Sequence, residues 1–71
     1  MDQVKIGKFI AECRKRKNLS QLELAQMLKI TDKAVSKWER GISKPNSSII
    51  LELCDILGIS ANELLNGEKA L

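Results

Sequence analysis

The stretch from Gln21 to Gly41 constrains the fold of this chain most, because it has the pattern of two short helices separated by three residues. Ser20 and Glu23 have the spacing of a capping box, which predicts the start of the first helix. Thr31 is the predicted N-cap of the second helix, and Gly41 suits the left-handed conformation that ends one. Helices this short are marginal alone, so they must pack against the rest of the chain.

The rest of the chain also shows helical periodicity, and no stretch alternates as a strand would. A chain of 71 residues is long enough for one small domain with a thin core. The predicted fold class is therefore all-α, with five short helices around one core. We expect residues 3–66 to form the domain and residues 67–71 a short C-terminal tail. The helices outside the central stretch are predicted at 3–17, 47–57 and 60–66.

Charge is distributed unevenly along the chain. Residues 1–44 contain eleven Lys and Arg and five Asp and Glu, a net charge of +6, whereas the remainder carries −3. A basic end indicates a polyanionic partner. Aromatic side chains are limited to Phe9 and Trp38, which argues against single-stranded nucleic acid, since its bases stack on aromatic side chains.

Composition also excludes several function classes. Cys13 and Cys54 are the only cysteines and histidine is absent, so a four-ligand zinc site cannot form from these residue types. Both cysteines lie in apolar helical stripes and are interpreted as reduced core residues. No Cys/His pair or phosphate-binding glycine loop is present, so we predict neither an enzyme nor a cofactor. Without a signal peptide or a membrane-length apolar run, the expected location is cytoplasmic.

Several motifs resemble the Cro/C1-type (Xre-like) helix-turn-helix family over about residues 5–66. They are Ile6-Gly7 with Arg14, LSQLELAQML at 19–28, SKWERG at 36–41, and LELCDILGIS at 51–60. The resemblance implies a lambda-repressor-like DNA-binding domain with its helix-turn-helix at helices 2 and 3. Lys29 departs from the pattern, because the family usually has glycine there. A left-handed lysine costs about 1 kcal/mol.

In helix-turn-helix proteins the second helix, here about residues 32–40, enters the major groove and contacts base edges. This geometry makes Asp32, Lys33, Ser36 and Lys37 the predicted base-reading residues. Lysine donates to guanine, and serine can donate or accept. For Asp32 two interpretations stay open: it accepts from a cytosine amino group, or it stabilises the helix N-terminus.

Phosphate contacts are expected around that helix. Gln21 matches a phosphate-contacting position of the family, and the free N–H groups at the start of helix 2 suit an anion. The resemblance further implies a partly buried ion pair between Arg14 and Glu39. Trp38 is interpreted mainly as a core residue, with an indole contact to phosphate as the minor alternative. The remaining predicted phosphate contacts, just past helix 3, are Arg40, Ser43 and Lys44.

The predicted function is sequence-specific binding of double-stranded DNA by a transcriptional regulator, with repression favoured. The predicted assembly is a homodimer on an inverted repeat, joined at the C-terminal end through Leu65 and Leu71, and no small-molecule ligand is indicated. The alternative is an antitoxin or protein-interaction module on the same fold. Whether the chain is a whole protein or the N-terminal domain of a longer one stays open.

Overall fold

The computed structural model describes residues 2–70, and five α-helices account for most of this range. The first helix, α1, spans Gln3–Arg16 and ends one residue before the predicted Lys17. The N–H of Lys17 caps it by donating to the Cys13 and Arg14 carbonyls at 3.2 and 3.1 Å. No strand occurs between residues 2 and 70, and the all-α prediction is confirmed. The helices are α1 Gln3–Arg16, α2 Gln21–Leu28, α3 Asp32–Glu39, α4 Ser47–Leu57 and α5 Ala61–Asn66.

Every helix begins at a side chain that accepts a backbone N–H from its first turn. Both predicted capping boxes form: the N–H of Glu23 donates to Ser20 Oγ at 3.0 Å, and the N–H of Ser20 donates to Glu23 Oε1 at 2.8 Å. The hydrogen bonds from Ser20 hold the pKa of Glu23 below its usual range. These local bonds fix where each helix starts. The N-caps are Asp2, Ser20, Thr31, Asn46 and Ser60.

The turn between α2 and α3 depends on a left-handed lysine. Lys29 has φ +58° and ψ +41°, the left-handed conformation for which the family usually has glycine at this position. The N–H of Ile30 then donates to the Ala25 carbonyl at 3.0 Å. Ala25 is fully buried, as expected for a small side chain where two helices approach closely.

Each helix contributes at least one side chain with almost no solvent exposure to a single core. Both cysteine thiols are free and buried, and burial raises the pKa of Cys13 and of Cys54. These thiols therefore behave as small apolar core groups rather than nucleophiles. The largest fully buried side chains are Ile10, Cys13, Leu24, Val35, Leu53 and Leu64.

Helix α3 packs against both α1 and α2, and Gly7 sets its distance from α1. A Cβ atom at Gly7 would overlap the Trp38 carbonyl oxygen and would lie 3.0 Å from that of Glu39. Only glycine therefore allows the end of α3 to lie directly on α1. This contact leaves the opposite side of α3 facing solvent.

The C-terminal segment folds back onto the domain more closely than a free tail would. The N–H of Ala70 donates to Glu63 Oε2 at 2.8 Å, and Lys5 Nζ lies 3.4 Å from Glu68 Oε2. Leu71, one of the predicted dimer residues, lies outside the described residues. None of the helices in residues 2–70 combines the length and apolarity needed to cross a membrane.

Replacing Lys29 with glycine should raise the free energy of unfolding by about 1 kcal/mol, because glycine adopts the left-handed conformation without the Cβ clash. Urea denaturation of both proteins measures the difference. Asn18 has the same φ of +58°, but asparagine tolerates this region better. Asn18→Gly is therefore the matched control and should gain less. Equal gains at both positions, or a loss at Lys29, would contradict this explanation.

Candidate nucleic-acid interface

The outer face of α3 carries the four residues predicted to read bases. Asp32, Lys33 and Lys37 are exposed, and Ser36 is half-buried. On the opposite side of the helix, Val35 and Trp38 are buried in the core. Trp38 is therefore a core residue, as predicted from the sequence. The buried side fixes α3 and leaves a polar outer side with a net positive charge.

Arg40 follows α3 and turns back along its outer face. Its Nε donates to the Ser36 carbonyl at 3.3 Å and to Ser36 Oγ at 3.2 Å. Arg40 retains right-handed helical angles, with φ −88° and ψ −1°. The side chain predicted to reach phosphate therefore lies next to a predicted base-reading residue.

The loop after α3 is closed tightly onto the end of the helix. Gly41 takes φ +74°, and the N–H groups of Ile42 and Ser43 both donate to the Lys37 carbonyl, at 2.9 and 3.4 Å. Lys44 is exposed and Ser43 half-buried. The loop thus holds the predicted phosphate contacts at the C-terminal end of α3.

Arg14 and Glu39 form a two-point ion pair between α1 and the end of α3. Arg14 Nε lies 2.6 Å from Glu39 Oε2, and Nη2 lies 2.9 Å from Oε1. The two side chains are only 10% and 8% exposed. The hydrogen bonds to Glu39 raise the pKa of Arg14 further above its ordinary value. Arg14 Nη1 also donates to the Leu19 carbonyl at 2.8 Å, so the pair anchors the chain just before α2.

Gln21 belongs to the same cluster, which sequence reasoning missed. Its Nε2 donates to Glu39 Oε1 at 3.0 Å, so the first residue of α2 is tied to the last residue of α3. The capping box occupies the N–H groups of Ser20 and Glu23. The N–H groups of Gln21 and Leu22 have no hydrogen-bond partner within residues 2–70. The amide of Gln21 and these two N–H groups therefore lie at one end of α2.

Within residues 2–70, no group of three or more His, Cys, Asp or Glu side chains is placed to hold a metal ion. The exposed side chains Lys33, Lys37, Arg40 and Lys44 make the surface around α3 cationic, which suits an anionic partner.

Two short helices with a three-residue turn, the second presenting a polar outer face, define a helix-turn-helix domain. A helix-turn-helix family model matches residues 10–64, well over half of the chain. The chain belongs to this family, and the resemblance to its Cro/C1-type members is confirmed.

Solved structures share the whole arrangement. The restriction-modification controller protein C.AhdI from Aeromonas hydrophila is 36% identical with a TM-score of 0.80, over 89% of this chain and 91% of that one. The P22 c2 repressor protein of a Salmonella phage, solved with a synthetic operator, is 33% identical with a TM-score of 0.84. That match covers 89% of this chain and 96% of the repressor chain.

Among sequence relatives, the prophage-derived uncharacterized HTH-type transcriptional regulator YonR of Bacillus subtilis is 36% identical over 64 residues. The match covers 90% of this chain and 59% of YonR. Against the first three curated relatives it matches, the chain spans 30%, 59% and 52% of their length. The shared part is thus the helix-turn-helix domain.

Breaking the Arg14–Glu39 pair should strongly destabilise the domain. Arg14→Met and Glu39→Met should each lower the free energy of unfolding by about 3–5 kcal/mol, because the remaining charge stays buried without its partner. The double variant should lose clearly less than the sum of the two, since it leaves no uncompensated charge. Chemical denaturation of all four proteins gives the coupling energy, and additive losses would contradict a coupled pair.

Proposed function

We propose that this chain is the DNA-binding part of a transcriptional regulator that reads double-stranded DNA by placing α3 in the major groove. The observation that carries the proposal is the outer face of α3, where Lys33 and Lys37 stand exposed on a helix whose other side is locked into the core. The structural match to a repressor solved with its operator supports it. Repression is the favoured outcome of binding.

The first two turns of α3 make the direct contacts with base edges. The N-terminal part of a recognition helix contacts base edges, which assigns Lys33, Ser36 and Lys37 to the floor of the groove. Lysine donors match the O6 and N7 acceptors of guanine. Asp32 is in the first turn of α3, where a carboxylate also stabilises the helix dipole. Asp32 therefore has a role without contacting a base. Of the four proposed base contacts, the one between Asp32 and a cytosine amino group is the one that the proposal needs least.

Phosphate contacts hold this face in register without reading sequence. Lys44 and Ser43 lie in the loop at one end of α3, and Gln21 lies at the start of α2. The unpartnered N–H groups of Gln21 and Leu22 suit a phosphate oxygen, because a helix N-terminus attracts anions. The link from Gln21 to Glu39 makes the position of this contact depend on the end of α3.

The regulator acts in the cytoplasm as a homodimer on an inverted repeat. One module of this size makes few base contacts, so two symmetric half-sites supply the selectivity. Leu65 is 38% exposed and borders an apolar groove of about 250 Å³ with Ile6, Pro45 and Ile50. This C-terminal groove is the proposed contact between the two copies.

An antitoxin or protein-interaction role is the second candidate. Such a module would not require a cationic outer face on α3, so the exposed lysines favour the DNA role. Salt dependence separates the two. Binding to duplex DNA that releases counterions must weaken steeply between 50 and 200 mM salt. Affinity for duplex that stays constant over this range would reject the DNA role.

Lys37→Ala and Lys44→Ala remove the same charge from different parts of the interface. Lys37→Ala should cost about 1–3 kcal/mol on the selected site and relax its sequence preference. Lys44→Ala should weaken all duplexes alike and reduce the salt slope by about 1. Titration of each variant against the selected site and a scrambled duplex, at several salt concentrations, measures both. Equal losses on the two duplexes for Lys37→Ala would show that Lys37 contacts only phosphate.

Leu65→Gln should reduce cooperative binding to a two-half-site duplex while leaving affinity for a single half-site unchanged, because it places an amide in the proposed dimer contact. Met27→Gln is the matched control, since Met27 is a comparably exposed apolar residue on α2. Sedimentation on the duplex reports the stoichiometry. Unchanged cooperativity in Leu65→Gln would place the dimer contact elsewhere.

A further inference from the structure

Arg40 lies in the middle of the face that α3 would present to DNA. Successive residues of an α-helix turn by about 100°, so Ser36, Arg40 and Lys33 fall within about 60° of one another. Because Arg40 keeps right-handed helical angles, this geometry extends to it although it caps the helix. Its position therefore groups it with the base-reading residues rather than with the loop that follows.

The hydrogen bonds of Arg40 hold its guanidinium on this face. Nε is engaged by the carbonyl and the hydroxyl of Ser36, which leaves the two Nη groups as the available donors. A guanidinium presents these donors as a planar pair that matches the O6 and N7 acceptors of guanine.

The same contact determines what Ser36 can do. A serine hydroxyl has one hydrogen to donate and two lone pairs to accept with. Ser36 Oγ already accepts from Arg40 Nε. One lone pair remains, and the hydrogen has no acceptor in the hydrogen bonds of residues 2–70, so the hydroxyl is available to donate to a base in the groove. Suitable base atoms are acceptors such as guanine O6, purine N7 or thymine O4.

We propose that Ser36 and Arg40 form one base-reading unit, in which Arg40 recognises a guanine and Ser36 donates to an acceptor of the same or the adjacent base pair. The unit rests on the proposed function, because it requires α3 to lie in the major groove. It extends reading beyond the first two turns of α3. In this unit Arg40 contacts a base, rather than the phosphate that the sequence predicted for it.

Two simpler roles compete with this one. Arg40 could only cap α3, since its backbone N–H also donates to the Ser36 carbonyl at 3.0 Å and cations near a helix C-terminus are favourable. Alternatively, it could swing away to a phosphate, where lysine would serve nearly as well as arginine. A cap would affect folding alone, and a phosphate contact would affect all sequences alike.

The experiment first selects the preferred site of the wild-type protein from a randomised duplex pool. Affinities are then measured for all four bases at each position of one half-site. The proteins are wild type, Ser36→Ala, Arg40→Ala, Arg40→Lys and the double variant Ser36→Ala/Arg40→Ala. Lys44→Ala is included as the reference for a phosphate contact, and thermal unfolding of each variant reports on folding.

We expect Arg40→Ala to lower the preference for guanine at one base pair by about 5- to 150-fold. Ser36→Ala should reduce discrimination at that pair or its neighbour. The double variant should lose less than the product of the two single losses, because the two side chains act together. Arg40→Lys should keep the salt slope but recover only part of the preference, since lysine retains the charge but not the fork that contacts Ser36 and the guanine together.

A uniform loss across all bases in Arg40→Ala, rescued by Arg40→Lys, would overturn the proposal in favour of a phosphate contact. Unchanged DNA binding with a lower unfolding temperature would overturn it in favour of a cap. Failure of the wild-type protein to enrich any duplex would instead reject the proposed function itself, so the two failures are distinguishable.

Discussion

The Arg14–Glu39 pair is the interaction on which the rest of this structure depends. It joins α1 to the last residue of α3, holds the Leu19 carbonyl before α2, and accepts the amide of Gln21 on the same carboxylate. A core this thin has few apolar contacts to spare. A nearly buried, fully hydrogen-bonded pair therefore does what additional apolar packing does in a larger domain: it fixes the angle between helices that are too short to be stable alone.

This arrangement separates the residues that build α3 from those that can read DNA. Val35 and Trp38 bind the helix to the core, and Gly7 lets its end lie directly on α1. The outer side is then free to vary without loss of the fold. Rigid placement of such side chains matters, because base contacts depend on hydrogen-bond geometry. The link between Gln21 and Glu39 extends the same rigidity to the proposed phosphate contact.

Sequence reasoning predicted most of the fold because its signals are local. Ser20 with Glu23 and Ser60 with Glu63 are three residues apart, and each pair forms the predicted capping box. The resemblance to a family supplied the partnership of Arg14 and Glu39, which are 25 residues apart and which no local pattern connects. The hydrogen bond between Gln21 and Glu39 was missed for the same reason. The contacts of the predicted C-terminal tail with Glu63 and Lys5 likewise have no local signal in the sequence.

The sequence by itself determined where each helix begins and ends to within one residue, which side chains form most of the core, and which face of α3 stays polar. These properties follow from contacts three or four residues apart and from the periodicity of apolar residues. Only the tertiary structure decided how Gln21 is oriented and that Arg40 lies over Ser36. Both depend on the direction in which a long polar side chain turns, and that direction is set by neighbours in space rather than by spacing along the chain.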